Sequence, residues 1–86
     1  MNHTVEIRRD GFSPRDIQIE AGDTITWNNL DDQEHVARTQ AGSDYTFSTG
    51  WIEPGEASRL ITFRDPQLII PYGDFDAKIY GVITVT

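Results

Sequence analysis

Ile25-Thr26-Trp27-Asn28-Asn29-Leu30-Asp31-Asp32-Gln33-Glu34-His35-Val36 is the stretch on which the reading of this chain turns. Its first part alternates: Ile25 and Trp27 stand between Thr24, Thr26 and Asn28, the period of two that marks a strand with one buried face. Its second part is a polar, acidic turn that leads into His35. Of the two histidines in the chain, His35 is the one that lies away from a terminus. A chemical site, if the chain has one, starts there.

The same period runs outward in both directions. Val5 and Ile7 alternate with Thr4, Glu6 and Arg8, which predicts a strand over 4–9, and Gly11-Phe12-Ser13-Pro14 reads as a turn. Ile17 and Ile19 alternate with Asp16, Gln18 and Glu20, and Ala21-Gly22-Asp23 is a tight turn into the opening stretch. Beyond it, Asp31 and Glu34 make an acceptable helix cap and Gly42 a helix stop, yet Val36 and Ala37 are the apolar residues nearest them and form no stripe for a helix to bury. The reading is therefore a strand over 34–39. Phe47 to Glu56, with Trp51 and the Pro54-Gly55 turn, is expected to cap one end of the core. Ser58 to Phe63 reads as a strand ended by Asp65-Pro66, and Leu68-Ile69-Ile70 as a short strand buried on both faces and closed by Pro71. Tyr72 to Lys78 is a polar loop, and Ile79 to Thr86 a last β-rich strand. Seven to eight short strands separated by turns argue an all-β, antiparallel sandwich or barrel, without internal repeats.

Composition bounds the rest. The chain has 86 residues, enough for a single domain over 1–86, with 37 % hydrophobic residues and two Trp to build its core. Fourteen acidic residues against seven basic ones give a net charge of −7, which disfavours nucleic acid and anionic membranes and suits a basic protein partner at an acidic surface. No apolar run is long enough to span a bilayer, and no basic-then-apolar signal region is present. The expectation is a cytosolic protein, or a periplasmic or otherwise extracytoplasmic one whose export signal has been removed. There is no cysteine, which excludes disulfides and every thiolate-based site. No Ser–His–Asp pattern or other nucleophilic constellation can be placed, so an enzyme is not expected.

Gly11-Phe12-Ser13-Pro14, Ile17-Gln18-Ile19, the run Ala21-Gly22-Asp23-Thr24-Ile25-Thr26-Trp27-Asn28-Asn29, then His35-Val36, Phe47 with Gly50, Pro54-Gly55-Glu56 and Gly81-Val82-Ile83-Thr84-Val85 follow one another in an order that resembles the cupredoxins of the plastocyanin, amicyanin and pseudoazurin type. The resemblance covers nearly the whole chain. It implies a cupredoxin-like antiparallel Greek-key β-sandwich, and it implies His35 as a copper ligand.

The chain departs from that pattern where the family does its chemistry. Members carry Cys-x-x-His-x-x-Met-x-Gly before the last strand, and here that loop is Tyr72-Gly73-Asp74-Phe75-Asp76-Ala77-Lys78-Ile79-Tyr80-Gly81. Counting back from Gly81 puts Ile79, Asp76 and Gly73 where Met, His and Cys are expected. A slip of one residue replaces the last two with Phe75 and Tyr72. Without a thiolate, a blue-copper relay cannot be built, and a site of His35 with carboxylates favours Cu(II) over Cu(I). The candidate metal ligands are thus His35, Asp76, Asp74 and His3. His3 enters because Met1-Asn2-His3 can wrap a square-planar ion from a free amino terminus.

Each candidate also has a plainer reading. His35 is then a hydrogen-bonded remnant, Asp74 and Asp76 a solvated turn, and His3 an exposed residue near a frayed end. The acidic residues Asp31, Asp32, Glu34 and Asp44 lie near His35 in sequence; such a cluster can raise its pKa or steer a cation or a basic partner, and its plainer reading is a soluble turn. Two functions follow from the sequence. One is a cupredoxin-like copper protein with a non-blue site, for copper handling or atypical redox. The other is a metal-free interaction or structural domain on the same scaffold.

Overall fold

A computed structural model describes Met1–Thr86 and contains seven strands and no helix. They are β1 (Asn2–Arg8), β2 (Gly11–Ser13), β3 (Asp16–Ile19), β4 (Thr24–Asn29), β5 (Ile61–Thr62), β6 (Leu68–Asp74) and β7 (Ile79–Val85). They form two sheets, one in the order β2-β1-β4-β5 and the other in the order β3-β7-β6. The alternation read from the sequence sets their facing sides: Val5, Ile7, Ile25 and Trp27 of the first sheet meet Ile19, Ile70, Tyr72, Ile83 and Val85 of the second.

The expected antiparallel sense holds for β1–β2, β4–β5 and β6–β7, but β1–β4 and β3–β7 are parallel. The reason is that β3 belongs to the opposite sheet. The chain leaves the first sheet after β2 and re-enters it at β4 running in the direction of β1, which a hairpin could not achieve.

Four local expectations are corrected. Gly11 to Ser13 is a strand rather than a turn, paired with β1 through Ile7↔Phe12. Residues 34–39 are neither strand nor helix: His35 bridges Ile52, while Arg38 bridges both Ser48 and Gly73. Val36 and Ala37 are buried in succession, and the backbone bonds of the segment are divided among Ile52, Thr49, Gly73 and Phe47 rather than running along one partner strand. Of the 58–63 stretch, only Ile61–Thr62 makes a ladder, because the Ser58 hydroxyl takes the Trp27 amide proton where a backbone carbonyl would otherwise sit. Finally, Leu68–Ile70 is not buried on both faces. It opens an edge strand with Ile69 72 % exposed, and that strand continues through Pro71 to Asp74. Gly73 turns its N–H and C=O outward to Arg38, so Pro71, two residues earlier, points its missing donor away from β7 and the ladder loses nothing.

An aromatic cluster fills the end of the core. Trp27 stacks on Phe47 with centroids 5.4 Å apart, meets Tyr72 edge-on at 5.5 Å, and donates from Nε1 to the Tyr72 hydroxyl at 3.2 Å. Phe47 supplies the cap expected of its segment, whereas Trp51 is 57 % exposed.

Candidate functional site

The inward face of β4 does not stop at Trp27. The next inward position is Asn29, a fully buried amide that organises the turn beyond it. Its Nδ2 donates to the carbonyls of Gln33 (2.8 Å) and Ile52 (2.9 Å), and its Oδ1 accepts from the Asp31 amide at 3.0 Å. This side chain folds residues 30–34 into a tight loop and sets Asp31 opposite His35.

His35 is held by two backbone hydrogen bonds with Ile52. Its ring lies between two carboxylates, Nδ1 at 2.9 Å from Asp74 Oδ2 and Nε2 at 2.7 Å from Asp31 Oδ2. All three side chains are buried, with 4 % of His35, 7 % of Asp31 and 2 % of Asp74 exposed. Asp74 ends β6 and is anchored further, accepting from the amides of Ala77 (3.2 Å) and Val36 (3.4 Å). Burial alone lowers the pKa of His35, but hydrogen bonds and charge from Asp31 and Asp74 outweigh it and leave the ring above the ordinary 6.5. Asp31 is held below the usual carboxylate value, first by its hydrogen bond with His35 and then by the Asp32 amide.

Of the four candidate ligands, the structure brings together His35 and Asp74. Asp76 lies exposed on the loop after β6. His3 is in β1 opposite Ile25, at the far end of β4 from Asn29, which is about 13 Å of strand. Its Nε2 lies 2.9 Å from Asp23 Oδ2, and the terminal ammonium is 3.1 Å from the other oxygen of the same carboxylate. Hydrogen bonds from His3, the Glu20 amide and the amino terminus bring Asp23 down to about 2. Asn2 and His3 are extended in the ladder with β4, not wrapped around a common centre.

This donor set does not fit copper. A metal ion needs lone pairs that converge on one point. Asp31 and Asp74 contact opposite nitrogens of one ring, so no single ion can join them through His35. No group of three or more His, Cys, Asp or Glu side chains is arranged to hold a metal ion, and no buried side-chain N or O lacks a hydrogen-bond partner. At Gly73, one of the positions that counting offers for the family's cysteine, a Cβ would come within 2.5 Å of the Ile79 carbonyl and 2.7 Å of the Tyr80 ring.

Of the acidic residues near His35 in sequence, Asp31 is the one that reaches it; Asp32 and Glu34 are exposed. Sequence reasoning passed over Asn29. The available signal was its place in the alternation, two residues beyond Trp27 on the buried face.

No protein-family model and no curated protein sequence matches the chain. Solved structures do. A novel purple cupredoxin from Nitrosopumilus maritimus superposes with a TM-score of 0.80 at 21 % identity, covering 96 % of this chain and 98 % of that one. A reduced amicyanin variant gives 0.81 at 22 % identity, and a Cu(I) amicyanin variant 0.78 at 21 %; each covers 96 % of this chain and 80 % of the other. At such identities the likeness establishes the fold.

Proposed function

Starting from a cupredoxin fold whose histidine is bonded at both nitrogens to carboxylates, we propose that this chain is a metal-free binding domain rather than a copper carrier. The observation that carries this reading is the Asp31–His35–Asp74 arrangement, in which neither ring nitrogen keeps a lone pair directed at open space. The partner suited to it is a basic protein. Glu34, Glu53 and Glu56 are exposed and none forms an ion pair, while the chain as a whole carries −7. Nucleic acid does not suit that charge, and no helix is long and apolar enough to cross a membrane. An extracytoplasmic place of action accords with the family resemblance, and no catalytic step is part of the proposal.

The competing reading is a non-blue copper site built from His35 with Asp74 and Asp76. It draws on the order of sequence features around His35 and on a fold shared with a Cu(I) amicyanin variant. Titration with Cu(II) and Zn(II), followed by absorption and electron spin resonance, separates the two. The metal-free reading expects no saturable stoichiometric site that depends on His35. Saturable binding that vanishes in His35→Ala would establish the copper reading instead.

A further inference from the structure

A neutral imidazole carries one N–H, and an ionised carboxylate only accepts. His35 nevertheless meets a carboxylate oxygen at each nitrogen, at 2.9 and 2.7 Å. With both carboxylates ionised, both contacts are hydrogen bonds only if the ring carries two protons. With one proton, a ring lone pair would face an Asp oxygen inside the protein, where such repulsion is weakly screened. We propose that Asp31, His35 and Asp74 form a proton-operated clasp: the doubly protonated ring ties the Leu30–Glu34 turn to the end of β6, and loss of one proton lets the turn go. This inference rests on the metal-free reading of the same residues.

The geometry also says which contact yields. Asp74 is the more enclosed carboxylate and is fixed by the Val36 and Ala77 amides, so the remaining N–H stays with it. Asp31 belongs to a turn whose next three residues are exposed, and it can rotate into water. The bonds then left to the turn are those of Asn29 to Asp31 and Gln33, the Leu30 amide to the Ile7 carbonyl at its start, and an exposed ion pair of Asp32 with Arg9. No other charged group bonds to the ring. Asp32 and Glu34 on the turn are exposed, as is Glu53 beside Ile52. Arg38, which bridges Gly73, sets its guanidinium over Phe75 at 4.8 Å, and Lys78 lies exposed beyond β6. His3 sits at the other end of β1 on Asp23.

Long-range proton–nitrogen NMR correlation on the chelator-treated full chain tests the clasp. The expected result is two protonated ring nitrogens on His35 in mild acid. As the ring titrates, the amides of residues 31–34 shift with the same midpoint and exchange faster above it. In Asp31→Asn the midpoint falls and the turn no longer follows it, while His3→Gln changes neither. A singly protonated His35 ring in mild acid, or turn amides indifferent to its titration in the wild type, overturns the clasp. Copper binding through His35 would overturn the metal-free reading instead, and the chelator-treated measurement keeps the two failures apart.

Discussion

His35 Nδ1 and Asp74 Oδ2 lie 2.9 Å apart, joining the segment that leaves β4 to the end of β6 across 39 positions of sequence. Removing one partner of a buried charged pair leaves the other without compensation, which is worth about 3–5 kcal/mol. Asp74→Ala is therefore expected to lower stability by that order in urea unfolding. The double variant with His35→Ala should lose less than the two single losses added together, because each single variant already lacks the His35–Asp74 contact. Strict additivity would mean that the two side chains do not interact.

The pH dependence of stability should have two falling limbs. His35 is raised above 6.5, so its contribution is complete below that value and fades as pH rises through the higher native value. Asp31 is lowered from 3.8, so its contribution is present above 3.8 and fades as pH falls through its lower native value. Maximum stability therefore lies between those two ordinary values. In Asp31→Asn the alkaline fall should begin at lower pH. Thermal unfolding scanned over pH checks both statements.

Tyr72→Phe removes the acceptor of the buried Trp27 indole N–H and nothing else in the aromatic cluster. An unsatisfied buried donor is worth about 1–3 kcal/mol, and a loss in that range is expected by denaturant unfolding. Burial also pushes the Tyr72 hydroxyl far above the ordinary tyrosine value of 10.0. Alkaline absorbance titration should accordingly show one tyrosine ionising only as the fold is lost.

The two tryptophans should separate by quenching. Trp27 is fully buried and Trp51 is 57 % exposed. Iodide is expected to quench one component of the emission, and Trp51→Phe to abolish that component without loss of stability. Persistent quenching in that variant would place Trp27 within reach of solvent.

Gly73→Ala tests the crowding at the end of β6. The added Cβ meets the backbone carbonyl of Ile79 at 2.5 Å, so a neighbouring strand has to move. Overpacking of this kind is worth about 1–3 kcal/mol, and the loss should appear in unfolding measurements. A fully stable variant would contradict the spacing of β6 and β7.

Much of the fold was legible because a period of two survives any tertiary context that keeps one face buried. Val5, Ile7, Ile19, Ile25 and Trp27 all lie where alternation puts them. The exposure of Ile69 was not legible, since Leu68-Ile69-Ile70 reads the same in a central strand as at an edge. The parallel pairing of β1 with β4 was hidden for a related reason: strand signals carry no record of which sheet the intervening β3 joins. At the site, His35 and Asp74 could be named from the sequence as candidates. Their relation could not, because Asp31 and Asp74 approach one ring from positions four and 39 residues away, and only the fold determines that they arrive at opposite nitrogens.

Substoichiometric Cu(II) added to the isotope-labelled chain puts the central claim to its most direct test, since a paramagnetic ion broadens the resonances of whatever it binds. With both nitrogens of His35 engaged by carboxylates, no selective broadening should appear at Asp31, His35, Val36 and Asp74. Selective loss of those signals, restored in His35→Ala, would show that the imidazole is free to bind copper and would contradict the account.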